Sequence, residues 1–250
     1  MKVEVETNSE EMSKKAASEV GKEILERQKP VLGLPTGETP KGMYNLLVKY
    51  YENGLIDFST VTTFNLDEYY GISEDHPKSF RSYMERHLFE KVNLKRENSY
   101  VPAGEIPRDE LGDYCKKYER KIIKAGGLDL QILGIGSNGH IGFNEPGSSF
   151  DSRTRLVKLT RETVEDSFGN TEKPPDEAIT MGIRTIMEAK RIILLASGES
   201  KKRAVKRAIE GPITEDCPGS VLQLHPHATA IIDERAAEEL ELLQISGPPE

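Results

Sequence analysis

Three stretches of this 250-residue chain bring together side chains able to move protons or hold an anion. The longest is Leu133-Gly134-Ile135-Gly136-Ser137-Asn138-Gly139-His140-Ile141-Gly142-Phe143-Asn144-Glu145-Pro146-Gly147. Gly134, Gly136 and Gly139 have the spacing of a dinucleotide fingerprint. That fingerprint needs a helix starting among the glycines and an acid at the end of the next strand, about twenty residues on. Here His140, another glycine and Asn144-Glu145-Pro146-Gly147 break any helix. The segment reads as a wandering backbone that turns Asn138, His140 and Glu145 inward. An imidazole with a carboxylate and an amide to orient it is a proton shuttle.

The second stretch, Phe64-Asn65-Leu66-Asp67-Glu68-Tyr69-Tyr70, runs from an apolar strand into two adjacent acids. A carboxylate at a strand's C-terminal end can serve a cleft as general base. Neighbours on an extended chain face opposite ways, so only one of Asp67 and Glu68 is expected to point at a ligand. The third stretch is Leu34-Pro35-Thr36-Gly37-Glu38-Thr39-Pro40, between a strand and a helix. Free N–H groups at a helix start, with threonine hydroxyls, suit an anion. It lacks the Gly-Lys-Ser/Thr ending of a P-loop. Taken alone it reads first as a turn capped by Thr39, and Asp67-Glu68 as plain loop acids; the three stretches inform together. Of the five histidines, His76 and His87 fit loop and helix positions, and His225-Pro226-His227 has no cysteine or acid at ligand spacing. No metal site is expected.

The elements that must position these residues alternate along the chain. Buried strands are expected at Val31–Leu34, Val61–Leu66, Leu128–Ile135, Arg155–Leu159, Arg191–Ala196 and Thr229–Ile232. Helix-period segments lie between them: Asn8–Gln28, Pro40–Tyr51, Phe80–Val92, Pro107–Ala125, Ile183–Ala189, Lys201–Glu210 and Glu234–Leu243. Continuous apolar strands alternating with helices mean an α/β fold, a modified doubly wound, mostly parallel sheet with helices on both faces. Residues 1–250 are expected to form one domain. Ligands bind such sheets beyond the carboxyl ends of the strands, where all three stretches fall. Thr160–Pro175, polar and carrying Gly169 and two prolines, reads either as a moving lid or as an ordinary surface loop.

Composition excludes several classes. Thirty-four basic against 42 acidic residues give a net charge of −8, with lysine and arginine scattered among acids, so no nucleic-acid partner is expected. Cys115 and Cys217 are the only cysteines, which argues against a disulfide framework and fits a reducing cytoplasm. The N-terminus lacks a hydrophobic signal region, and no apolar run approaches the ~20 residues that span a bilayer. A soluble protein without a membrane partner is expected.

The strings LGLPTGETP, FNLDEYYG, GIGSNGHIGFNEPGS, SRTR and AITMGI resemble, in order and over roughly residues 10 to 235, the glucosamine-6-phosphate deaminase family. The resemblance implies a cofactor-free conversion of glucosamine 6-phosphate and water to fructose 6-phosphate and ammonia. It implies Asp67 as the base between C2 and C1 and His140 as the group that opens the ring. Asn138 and Glu145 would orient that histidine. The loop Thr36, Gly37, Glu38, Thr39 and Lys201 would bind the substrate phosphate. The implied partner is a small sugar phosphate, and a homo-oligomer is compatible with it.

Three departures qualify the likeness. Asn138 stands where some members carry Asp, leaving Glu145 as the anionic partner of His140. Val157 stands where allosterically activated members carry Lys, which implies hyperbolic kinetics and no activation by N-acetylglucosamine 6-phosphate. Glu165-Asp166-Ser167-Phe168-Gly169 lacks an arginine that many members place there to clamp the phosphate. The alternatives are 6-phosphogluconolactonase, which does not need an Asp67-type carbon base, and a non-catalytic sugar-phosphate sensor. Sensors of that kind carry a DNA-reading module, but only Met1–Pro30 precedes the first expected core strand. A NAD-dependent dehydrogenase is opposed by the broken fingerprint.

Overall fold

A computed structural model describes residues 1–168 and 174–241, with 166 and 167 as backbone alone. In chain order the first elements are β1 (Lys2–Glu6), α1 (Ser9–Glu26), β2 (Val31–Leu34), α2 (Lys41–Glu52), β3 (Thr62–Asn65) and β4 (Asp67–Tyr69). Next come α3 (Phe80–His87), β5 (Ser99–Tyr100), α4 (Leu111–Lys124), β6 (Leu130–Gly134), β7 (Arg155–Lys158) and α5 (Arg161–Phe168). The chain continues through β8 (Glu177–Thr180), α6 (Ile183–Met187), β9 (Arg191–Ala196), α7 (Lys202–Ile209), β10 (Ala228–Asp233) and α8 (Glu234–Ala237).

Seven strands form a sheet in the order β1-β10-β9-β6-β2-β3-β5, and every neighbouring pair is parallel. Both faces are covered, so the central strands are apolar without alternation. Leu130, Ile132, Ile193 and Leu195 pack on Met12, Ala16 and Val20 of α1 and on Met43, Tyr44 and Leu47 of α2. Their strand neighbours Leu133, Ile192 and Leu194 face the other way, onto Tyr118 and Ile122 of α4 and Ala204, Val205 and Ala208 of α7. This is the period-two division that a two-sided core demands.

From β2 the chain steps outward to β3 and β5, then returns to β6 on the opposite side of β2 and steps away through β9 to β10. The order therefore reverses between β2 and β6. Open α/β sheets bind ligands in the crevice at such a reversal. The Pro35–Pro40 loop leaves the end of β2 and the glycine-rich loop leaves the end of β6, so the two flank the crevice.

A second, antiparallel sheet, β4-β8-β7, lies beyond the main one. It pairs Asp67 with Thr180 and Arg155 with Thr180. The strand expected at Arg155–Leu159 belongs here and not to the parallel sheet, and Asp67 opens β4 where a loop position was expected. Thr39 does not cap α2: Pro40 occupies the cap with no side-chain bond, and the Lys41 N–H bonds to the Glu38 carbonyl in a preceding turn. The segment read as lid or loop contains α5 and is capped by Thr160, whose hydroxyl accepts from the Thr163 N–H. Residues 169–173, including Gly169, and Leu242 and Leu243 of the last expected helix lie outside the described residues. Among the described residues no helix is long and apolar enough to cross a membrane.

Candidate active site

Asp67 and Glu68 illustrate how a strand sorts two acids. Glu68 turns away from the crevice toward the start of α3, where its carboxylate accepts from the N–H groups of Phe80 at 2.9 Å and Arg81 at 3.1 Å. It also accepts from the Tyr69 N–H at 2.9 Å. Burial still pushes the Glu68 carboxyl up to about 7 against the pull of these donors. Asp67 faces the crevice. Among the described residues nothing donates a hydrogen bond to it, and burial, with the neighbouring Glu68 charge adding, pushes its carboxyl up to about 8. Gly142, in the left-handed region at φ 55°, brings the glycine-rich loop over it; a side-chain carbon there would stand 3.4 Å from Asp67 Oδ2.

The glycine-rich loop folds back on itself and does not start a helix. The Gly136 N–H bonds to the His140 carbonyl, and the imidazole lies against Gly136, where a side-chain carbon would fall 2.2 Å from the ring. Gly139 holds φ 93° with Cys217 directly beyond its Cα, so only glycine fits. This tight turn sets Asn138 beside His140. Asn138 Oδ1 lies 2.8 Å from His140 Nδ1 and also accepts from the His140 N–H at 3.1 Å. Asn138 Nδ2 donates to Glu145 Oε2 at 2.7 Å, while that oxygen lies 3.4 Å from His140 Nδ1. The amide is therefore the ring's hydrogen-bond partner, and Glu145 is the charge behind it. With Nδ1–H donated to Asn138, Nε2 is left to address a ligand; this tautomer is assigned from the network.

Glu145 is fixed from several sides. Asn144, fully buried, donates from Nδ2 to the carbonyls of Ile141 at 2.9 Å and Met181 at 2.8 Å, tying the loop to the end of β8. Thr163 of α5 donates its hydroxyl to Glu145 Oε1 at 2.6 Å. Burial works to raise the Glu145 carboxyl, yet the His140 ring beside it, followed by the hydrogen bonds of Thr163 and Asn138, holds it at about 2.

The Pro35–Pro40 loop is anchored from beneath by two tyrosines. Tyr44 donates to the Pro35 carbonyl and Tyr83 to the Gly37 carbonyl, each at 2.5 Å. Thr36, Gly37 and Thr39 border the crevice. The Glu38 side chain is exposed and reaches out to Lys41, so what Glu38 can offer a ligand is its backbone. Across the crevice Lys201 sits in a short turn before α7, after Gly198 at φ 89°. That turn is held by Asp233, which accepts from the Gly198 N–H and the Ser197 hydroxyl.

One cavity of about 560 Å³ is bordered by Asp67, Asn138, His140, the Thr36–Thr39 loop and Lys201. Four separate passages of the chain meet there, with Glu145 behind His140. Sequence reasoning missed part of its wall. Tyr69, Phe80 and Phe143 border it and pack on one another, with Phe168 on Tyr69, at ring separations of 4.7 to 5.8 Å. Phe168 falls in the stretch that lacks the expected arginine; it is buried, with the Lys78 ammonium 4.8 Å from its ring centre. Thr160 and Thr163 were missed as well; the spacing of two hydroxyl residues at a helix start is the signal they carry. His225 Nε2 donates to the Ala189 carbonyl at 2.8 Å, a structural contact.

Residues 4–231 match the family model described as glucosamine-6-phosphate isomerases/6-phosphogluconolactonase. A protein named glucosamine-6-phosphate deaminase from Thermoanaerobacter pseudethanolicus is 52% identical over 95% of this chain and 94% of its own length. Glucosamine-6-phosphate deaminase 2 of Bacillus subtilis is 48% identical over 98% of this chain and all of its own. A solved structure of a monomeric glucosamine-6-phosphate deaminase superposes with a TM-score of 0.91 at 43% identity, covering 95% of this chain and 99% of the other. The 6-phosphogluconolactonase of Trypanosoma brucei shares the fold, with a TM-score of 0.76 at 18% identity over 96% of this chain and 98% of its own.

Proposed function

The chain belongs to the family of glucosamine-6-phosphate isomerases and 6-phosphogluconolactonases, and on that premise we propose how it works as a glucosamine-6-phosphate deaminase. The observation that carries the reading is the single cavity shared by the buried Asp67 carboxyl and the His140 imidazole, with a loop of backbone N–H groups and Lys201 at its border.

The phosphate of D-glucosamine 6-phosphate binds the Thr36–Thr39 backbone and Lys201, which tethers the sugar so that later steps are effectively intramolecular. His140, oriented by Asn138 and backed by the Glu145 charge, passes a proton to the ring oxygen as the C1 hydroxyl loses one, and the pyranose opens to the aldehyde. Asp67 then takes the proton from C2, giving an enolamine, and returns it to C1. The resulting C2 iminium adds water and releases ammonia, leaving D-fructose 6-phosphate, so the net reaction is a hydrolytic deamination. One base suffices because C1 and C2 are adjacent. Burial equips Asp67 for both transfers, because a carboxylate with no hydrogen-bond donors is a stronger base than one in water.

This reading needs no cofactor, and its phosphorylated substrate and two free, buried thiols fit the cytoplasm. The test is ammonia release from glucosamine 6-phosphate by the purified protein without added nucleotide or metal. Stoichiometric ammonia and fructose 6-phosphate are expected. Hydrolysis of 6-phosphogluconolactone with no ammonia from the amino sugar would overturn the assignment.

A further inference from the structure

Glu145 has two oxygens, and they answer to different parts of the chain. Oε2 faces its own loop, through Asn138 and His140. Oε1 is held by α5, which arrives after the intervening strand β7: Thr163 donates to it at 2.6 Å. The direction of that bond is set at the start of the helix. The Thr160 hydroxyl lies 2.9 Å from Thr163 Oγ1, and 3.5 Å from Glu145 Oε1. A hydroxyl has one proton to give. With the Thr160 proton placed on Thr163, the Thr163 proton is directed at the carboxylate. In the first turn of α5 this hydroxyl is spent on Glu145, and its side chain is buried with it.

Both ends of α5 are seated on the cavity. At its start Glu162 meets the Ser137 hydroxyl at 3.3 Å. At its end Phe168 packs edge-on against Tyr69, 4.8 Å between ring centres, two residues beyond Asp67. The position of Thr163 is thus fixed by contacts with both proton-handling sides of the cavity.

We propose that Thr163 is a positioning residue for ring opening: its hydroxyl, aimed by Thr160, holds the Glu145 carboxylate in place behind His140. The inference rests on the deaminase reading of His140 and Glu145. Without the hydroxyl, Oε1 loses its strongest donor and the carboxylate is free to rotate out of line with Asn138. The imidazole then loses its fixed orientation, while the phosphate loop and Asp67 are untouched.

The experiment measures kcat and KM for ammonia release in Thr163→Val, Thr163→Ser and Glu145→Gln, and in Thr163→Val combined with Glu145→Gln. Thr163→Val keeps the shape and removes the hydroxyl. It is expected to lower kcat about tenfold, the scale of a hydrogen bond to a charged group, with KM within about twofold. Thr163→Ser, which restores a donor, is expected within about threefold of wild type, and Thr163→Val is expected to add little once Glu145 is already Gln. Wild-type kcat in Thr163→Val, a loss undiminished in the Glu145→Gln background, or a serine variant as poor as the valine one would each overturn the proposal. Glu145→Gln at the wild-type rate would instead overturn the reading of Glu145 on which it rests. Should Thr163→Val fail to fold, Thr163→Ala makes the same comparison with serine.

Discussion

Asp67 and Glu145 are two carboxyls flanking one cavity, and they are almost equally buried, 7% and 9% exposed. Yet Asp67 is pushed up to about 8 and Glu145 held down at about 2. Burial is common to both and raises both. The difference is donors: Glu145 has Asn138 and Thr163, with the His140 ring beside it, whereas Asp67 has none among the described residues. A carboxylate wrapped in donors is a fixed charge, suited to orienting and stabilising an imidazolium. A carboxylate stripped of donors is a base, reluctant to stay ionised. One pocket thus runs both kinds of chemistry by distributing hydrogen bonds unequally.

The contrast can be broken most severely at Asp67. Replacing Asp67 with Asn removes the base between C2 and C1 and is expected to cut kcat about 10³-fold or more, measured as ammonia release. A variant retaining a tenth of the wild-type rate would mean another group moves that proton. Glu145→Gln is expected to cost less, on the order of 10²-fold in kcat, because Asn138 still orients the ring while the charge behind it is gone. Rates close to wild type would show that Glu145 is merely structural.

The smallest effect is on stability. Folding raises the Asp67 carboxyl from 3.8 to about 8, so the folded state favours its neutral form. That contribution is fully present below pH 4 and is lost as pH rises through 8. Asn cannot ionise and escapes the loss. At pH 9 the Asp67→Asn variant is expected to melt about 5 °C or more above wild type, with the gap closing by pH 4. An equal gap at both values would locate the effect in packing and not in charge.

Much of this arrangement is legible in the sequence, and what is not has physical reasons. The strands Val31–Leu34 and Arg191–Ala196 match their expected bounds residue for residue because burial on both faces makes them continuously apolar. β1 escapes the sequence reading although Val3 and Val5 alternate with charges, the signature of an edge strand with one face buried. The second sheet as such is invisible there: β7 is expected as a strand but of the parallel sheet, β4 and β8 are not expected, and Asp67 meets Thr180 across more than a hundred residues. The loop residues Asn138, His140 and Glu145 stand out because a glycine-rich segment that cannot start a helix must fold on itself. Thr163 does not, since a polar helix looks like surface until its partner, 18 residues back, is known. Strand alternation splits the pair Asp67-Glu68, the family resemblance singles out Asp67, and it is Asp67 that borders the cavity.

The most direct test is a pH titration of the aspartate side-chain carboxyls by carbon NMR on the ligand-free protein, with Asp67→Asn identifying the signal. A resonance that disappears in the variant and titrates near 8 is predicted. If the signal lost in the variant titrates near 4 instead, Asp67 is an ordinary solvated acid and the donor-poor base on which the mechanism depends does not exist.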